Sequence, residues 1–224
     1  MTIILGARCK DGVLIAADRR IVRGTEYEEE EKIFTPVEGV VAAASGLTGI
    51  MDKFLKAVEA GATAARVQSL DEVISGIEDV TAGLRERYEK RLGEDGKGFL
   101  EVLVGGLTNL SSGEAEIYHV LPQGYAERIK RYLVIGHGEP YVKPFVKALY
   151  REGITCEEMA RISTFAILVV ERLELNSTVG GKPQIYTIID NQKAIELPES
   201  RIDDLIKETE PNIKRIYEIL KNEK

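Results

Sequence analysis

The chain opens MTIILGARCKDGVLIAADRR (residues 1–20). Two apolar runs, Ile3 to Arg8 and Val13 to Ala17, flank Lys10-Asp11-Gly12. Asp-Gly between apolar runs signals a tight β-hairpin, because both central positions of its two-residue turn need positive φ. A turn centred on Asp11-Gly12 sets Asp18 opposite Leu5 and brings it to the sheet end that carries Thr2. Direct contact between Asp18 and Thr2 then needs a twist or a bulge.

Working outward, a second strand pair follows: Lys32 to Val37, the turn Glu38-Gly39, then Val40 to Ser45. Four strands thus precede a change of texture. Leu47 to about Ala60 reads as a helix. A second helix opens at Ser69-Leu70-Asp71-Glu72, a capping box with Ser69 at N-cap, and carries an apolar stripe through Ile74, Ile77, Val80, Leu84 and Tyr88. Gly93-Glu94-Asp95-Gly96 ends it with a turn. Strands return at Phe99–Leu107 and Ala115–Leu121, joined by Asn109 to Gly113, and at Tyr132–Gly136. Two helices follow, Pro140–Arg151 and Glu157–Leu173, the second capped by Thr155 with Glu158. The strand pair Gln184–Ile189 and Ala194–Leu197 turns at Asp190-Asn191, and a last helix, Arg201–Asn222, is capped by Ser200. Strands and helices come in runs and do not alternate, so the class is α+β, with antiparallel hairpins layered against helices. With no low-complexity linker and no fixed-period repeat, residues 1–224 read as one domain with a C-terminal helix at about 201–222.

Composition narrows the function. The 224 residues hold 37 acidic and 30 basic side chains, a net charge of −7, so nucleic acid is not the expected partner. Two cysteines, Cys9 and Cys156, form no CxxC pattern; neither a metal site nor a disulfide framework is expected, nor is any cofactor, and a reducing cytoplasm fits. The N-terminus lacks the pattern of a signal peptide. The longest apolar run, Phe165 to Val170, is too short to span a membrane.

Thr2 becomes a terminal threonine if Met1 is removed. Its α-amine, with an ordinary pKa of about 7.7–8.0, can act as base for its own hydroxyl, directly or through a water. That chemistry calls for a cation, a carboxylate to orient it, and a backbone N–H to receive an oxyanion. Asp18 ends the second strand near Thr2, Lys32 begins the third, and Ser45-Gly46 joins the fourth strand to a helix, where an N–H suits an oxyanion.

Thr2, KDGVLIAADRR (10–20), KIFTPVEGVVAAASGLTG (32–49), YHVLPQG (118–124) and IGHG (135–138) together resemble a proteasome-type β subunit of the N-terminal nucleophile hydrolases, in a divergent prokaryotic or archaeal-type form. The resemblance runs from Thr2 to about Asp190. It implies a four-layer αββα sandwich of antiparallel sheets. It also implies Thr2 as nucleophile, Asp18 and Lys32 as its activating pair, and Gly46 as oxyanion donor. Three segments depart from the family pattern. His137 stands where a serine is usual. The family's Asp-Ser-x-Ser-Gly appears as Asn176-Ser177-Thr178-Val179-Gly180, losing a carboxylate and a hydroxyl, and Thr108 lies near the place of a common aspartate. His137, with Asn176 and Ser177, supplies the candidate supporting groups, since a histidine titrates in the working range.

Each residue also has a plainer role. Thr2 suits a strand start by β-propensity, Asp18 a strand-end turn, and Lys32 a solvated charge beside the acidic run Glu28–Glu31. His119 shares a strand face with Ile117 and Leu121 and reads as structural. The run of glutamates reads as a solvated edge, with an acidic rim that selects basic substrates as the sharper reading. Two classes of function follow. One is an enzyme that forms an acyl ester on Thr2 from a peptide or protein substrate. Water then makes it a peptidase or amidohydrolase; an incoming amine makes it a transpeptidase or ligase. The other is a weakly active or inactive assembly subunit. In both, the resemblance implies a homo-oligomer, with a ring as one form.

Overall fold

The computed structural model describes residues 2–23, 26–64, 67–92 and 99–222. Strands β1 (Ile4–Arg8) and β2 (Gly12–Ala17) form the opening hairpin. A two-stranded ribbon of β3 (Arg20–Arg23) and β4 (Glu26–Glu29) follows, then β5 (Ile33–Phe34) and β6 (Val40–Gly46). Helices α1 (Thr48–Ala64) and α2 (Leu70–Leu92) lead to β7 (Leu100–Asn109), β8 (Ser112–Val120), β9 (Ala126–Arg128) and β10 (Tyr132–Ile135). Helices α3 (Glu139–Leu149) and α4 (Cys156–Arg172), strands β11 (Gln184–Ile189) and β12 (Ile195–Glu196), and helix α5 (Glu199–Asn222) complete the order.

Two five-stranded antiparallel sheets result, ordered β10-β1-β2-β11-β12 and β5-β6-β7-β8-β9. Strand alternation sorts their side chains into three cores. Ile4, Val13, Ile15 and Ile188 of the first sheet meet Val41, Ala43, Leu103 and Ile117 of the second. The opposite face of the first sheet, through Ile3, Leu5, Leu14 and Ala16, packs on Val142, Met159, Ala160 and Leu205 of α3, α4 and α5. The opposite face of the second, through Ala42, Ala44, Val102 and Val104, packs on Phe54, Leu70, Ile74 and Ile77 of α1 and α2. The layers are therefore αββα. The strands β1, β2 and β6, buried on both faces over most of their length, read as near-continuous apolar runs.

Several expected elements differ in detail. In the opening hairpin Arg8 faces Val13 and the Cys9 amide donates to the Gly12 carbonyl, so Lys10-Asp11 forms the turn, one position earlier than expected. Gly12 serves close packing instead: a Cβ there would lie 2.1 Å from the Ile188 carbonyl oxygen of β11. The ribbon β3–β4 is hidden by the glutamate run, and its outer strand is exposed throughout. The expected strand Lys32–Val37 shrinks to Ile33–Phe34. The Glu72 carboxylate caps the Gln68 amide, 2.8 Å away, while the Glu72 amide lies 3.4 Å from the Ser69 hydroxyl. Ser200 does not cap α5: it lies inside its first turn, where the Pro198 carbonyl receives the Arg201 and Ile202 amides. Short β9 has no apolar alternation to announce it. The expected turn at Gly93–Gly96 lies outside the described residues. By contrast, the Thr155–Glu158 capping box of α4 is complete in both directions.

Ile15 is fully buried where the two sheets meet. Ile15→Ala is expected to lower unfolding free energy by about 2–5 kcal/mol in chemical denaturation. The same change at Ile195, 54% exposed, is expected to stay within about 0.5 kcal/mol of wild type.

Candidate active site

Thr2 lies one position before Ile3 and is buried, 7% exposed. Its backbone is held by the loop after β10. The Gly138 amide donates to the Thr2 carbonyl at 3.2 Å. Gly136 has φ +94°, and a Cβ there would lie 2.3 Å from that same carbonyl oxygen and 3.0 Å from the Ser45 hydroxyl. Only glycine fits this approach, which brings Thr2 and the end of β6 to one place. Alternation along β1 puts Thr2 on the face of Ile4, turned toward the second sheet.

Asp18, wholly buried, is the junction of the site. The earlier turn sets it opposite Ile3, so no bulge is needed: the Asp18 amide donates to the Ile3 carbonyl at 3.2 Å, and the Ile3 amide donates to Asp18 Oδ1 at 2.8 Å. Lys32 Nζ donates to the same oxygen at 2.7 Å and to the Arg20 carbonyl at 2.7 Å. The Gly180 amide donates to Asp18 Oδ2 at 3.2 Å. Lys32 precedes β5, and its backbone is fixed by Gln184, whose side-chain oxygen receives the Lys32 and Ile33 amides at 3.1 and 3.0 Å.

Gly46 is the last residue of β6 and faces Leu100. A Cβ at Gly46 would lie 2.4 Å from the Phe99 carbonyl oxygen, so this corner lies flush against β7 two residues before α1 begins. His137 sits in the loop that grips Thr2, but its side chain is exposed. Asn176 turns inward on its own loop: its side-chain oxygen receives the Thr178 amide at 3.0 Å and the Thr178 hydroxyl at 2.5 Å. Ser177 is exposed, and its carbonyl receives the Arg20 guanidinium at 3.3 Å. The structure thus gathers Thr2, Asp18, Lys32 and the Ser45-Gly46 corner, and it sets His137 and Ser177 with their side chains outward. His119, expected to be structural, lies 13% exposed with Nε2 3.4 Å from Glu101 Oε1. Among the described residues no group of three or more His, Cys, Asp or Glu is arranged to hold a metal ion, and no helix is long and apolar enough to cross a membrane.

Two members of the site carry no signal in the sequence. Gln184 opens β11 and belongs to no motif. Arg20 is visible only as half of an Arg-Arg pair, yet its guanidinium reaches Glu171 of α4, 151 positions away.

Burial pushes the Asp18 carboxyl above its ordinary 3.8, against the opposing pull of Lys32 and of the Ile3 and Gly180 amides. Burial likewise pushes the Lys32 ammonium below its ordinary 10.5, against the attraction of Asp18. A buried ion pair is held at a desolvation cost. Between the unfolded and folded values of Asp18 the folded chain binds more protons, so stability falls as pH rises from 3.8. Between the folded and unfolded values of Lys32 the unfolded chain binds more, so stability rises toward pH 10.5. Lys32→Met alone strands the carboxylate and is expected to cost about 3–5 kcal/mol of unfolding free energy at neutral pH. The double change Asp18→Asn with Lys32→Met is expected to regain most of that loss. Its gain over Lys32→Met, read by denaturation across pH, is expected to grow as pH rises above 3.8 and then to level off, because Asp18 is the group that titrates in that comparison.

A family model described as "Proteasome subunit" matches residues 2–188. A proteasome subunit alpha of Methanococcus maripaludis is 26% identical over 227 aligned residues, covering 99% of this chain and 81% of that one. A proteasome subunit beta of Methanobrevibacter smithii is 23% identical, covering 92% and 95%. Among solved structures, Anbu (ancestral beta-subunit) from Yersinia bercovieri superposes with a TM-score of 0.73 at 16% identity, covering 96% of each chain, and shares the fold. A family match that begins at Thr2 and covers most of both sheets means that the chain belongs to the proteasome subunit family.

Proposed function

We propose that this chain is an N-terminal threonine hydrolase of amide bonds, acting as one catalytic domain over residues 1–224 once Met1 is removed. The observation that carries this reading is the Asp18 carboxylate, hydrogen-bonded both to the amide of Ile3, directly after Thr2, and to the Lys32 ammonium. Nothing in a purely structural strand end calls for a buried lysine there.

In this reading the Thr2 α-amine takes the hydroxyl proton as Oγ attacks the carbonyl of a peptide. The Lys32 charge, oriented by Asp18, lowers the proton affinity of the nucleophile. The oxyanion turns toward the Gly46 N–H at the end of β6, two residues before the positive end of α1. The proton then passes to the leaving amine, an acyl ester remains on Thr2 Oγ, and water releases the acid. An incoming amine in place of water makes the same ester a transpeptidase or ligase intermediate. Peptide or protein is the substrate class, a homo-oligomer the working form, with a ring as one arrangement, and the cytoplasm the expected compartment.

A second reading, an assembly subunit with little turnover, draws on two observations. One of the relatives is a proteasome subunit alpha. Val179 fills a fully buried apolar position where the family pattern has a hydroxyl. Intact mass and electrophile trapping separate the two. The hydrolase reading expects a chain lacking Met1 that takes up one equivalent of a threonine-directed electrophile such as a peptide epoxyketone, with no uptake in Thr2→Ala. A chain that always keeps Met1, or an adduct that persists in Thr2→Ala, removes Thr2 from the chemistry.

A further inference from the structure

The family's carboxylate near the terminal amine has become Asn176, which is occupied with Thr178. The loop 176–181 nevertheless closes over Asp18, and what holds it comes from outside the loop. Arg20 Nη2 pairs with Glu171 Oε1 at 2.5 Å, both side chains largely buried at 24% and 14% exposure. Arg20 Nη1 donates to the Val179 carbonyl at 2.9 Å and to the Ser177 carbonyl at 3.3 Å. Glu171 Oε1 also receives the Gly181 amide at 3.1 Å. The Arg19 and Arg20 amides donate to the Gly180 carbonyl at 3.1 and 2.9 Å. Gly180 lies flat against the ion pair: a Cβ there would stand 2.6 Å from both Arg20 Cζ and Glu171 Oε1. The far side of Gly180 donates to Asp18, and the Arg20 carbonyl receives Lys32 Nζ. Each end of the Asp18–Lys32 pair therefore has one of its partners fixed by the same clamp.

We propose that Glu171, acting through Arg20, is a positioning residue of the Thr2 site: it holds the Gly180 amide on Asp18 and the Arg20 carbonyl on Lys32. The proposal rests on Asp18 and Lys32 being the activating pair, and its test does not need turnover. A charge-assisted pair of this kind, partly shielded from water, holds backbone groups more firmly than neutral hydrogen bonds. It also neutralises the Arg20 guanidinium. The charges that face Lys32 are Asp18 directly after β2 and Glu30 after β4, which favour its ammonium, and Arg20 on β3, which opposes it. Glu171 stands behind Arg20 and offsets that opposition.

The experiment compares wild type with Glu171→Gln, Arg20→Lys and, as a control on the outer face of α4, Glu157→Gln. Two quantities are read by NMR: the titration midpoint of the Lys32 ε-methylene, assigned by its loss in Lys32→Met, and the hydrogen-exchange rate of the Gly180 amide. In Glu171→Gln the Lys32 midpoint is expected to move to lower pH, because the Arg20 charge is no longer offset, and Gly180 exchange is expected to speed up about tenfold or more. Arg20→Lys, which keeps charge but loses the planar fork, is expected to speed Gly180 exchange with a smaller change of midpoint. Glu157→Gln is expected to change neither. Faster exchange with an unmoved Lys32 midpoint in Glu171→Gln confines Glu171 to loop packing and overturns the proposal, as does no change in either quantity. If the midpoint moves while wild type takes up no electrophile at Thr2, the positioning role stands and the hydrolase reading fails.

Discussion

One carboxylate organises the Thr2 end of this molecule. Asp18 accepts from the strand that bears Thr2, from a lysine that leads into the second sheet, and from the loop that follows α4. Contacts around it help join those segments: Gln184 holds the Lys32 backbone, and the Arg19 and Arg20 amides donate to the Gly180 carbonyl. Strand pairing carries β1 to its register, but it does not bring residue 32 or residue 180 to the same point. A buried carboxylate left with an unmet hydrogen-bonding capacity is costly, so the segments that satisfy it are drawn in together. The cost of burying the pair is borne by the packing around it, chiefly the apolar layers on both faces of the first sheet.

The site is also built from close backbone approaches, and these explain its glycines. Gly136 and Gly138 let the loop after β10 touch the Thr2 and Ile3 positions. Gly46 lets the corner of β6 lie against β7, and Gly180 lies against an ion pair. At Gly136, Gly46 and Gly180 the missing side chain makes room for backbone or an ion pair, and at Gly138 for the Ile3 side chain. The Thr2 carbonyl and the Ser45 hydroxyl both crowd the place a Cβ would take at Gly136.

The helix-and-strand order is legible in the sequence because the apolar runs are bounded by clear turn and cap residues, as at Thr155–Glu158 and Asp190-Asn191. Thr2, Asp18, Lys32 and Gly46 are legible because each ends or begins an apolar run. The register of the first hairpin reads one position off, since Gly12 looks like a turn residue and is instead required by β11. The β3–β4 ribbon is illegible because its glutamates carry no apolar period. The partnership of Arg20 with Glu171, and that of Gln184 with Lys32, are invisible for a simpler reason. Long-range polar pairing leaves no periodic trace in either segment.

The placement of β1 carries a consequence for how the molecule comes into being. That strand is interior, with β2 on one side and β10 on the other. The first partner is synthesised at once, but the second spans Tyr132–Ile135, and the loop over Asp18 ends still later, at Gly181. At roughly 5–20 residues per second, the threonine end of a nascent chain waits many seconds for its neighbours. Contacts of such wide sequence separation also slow the final closure. The Thr2 end is therefore completed late in synthesis, so a product truncated before Gly181 cannot carry the finished Asp18 cluster.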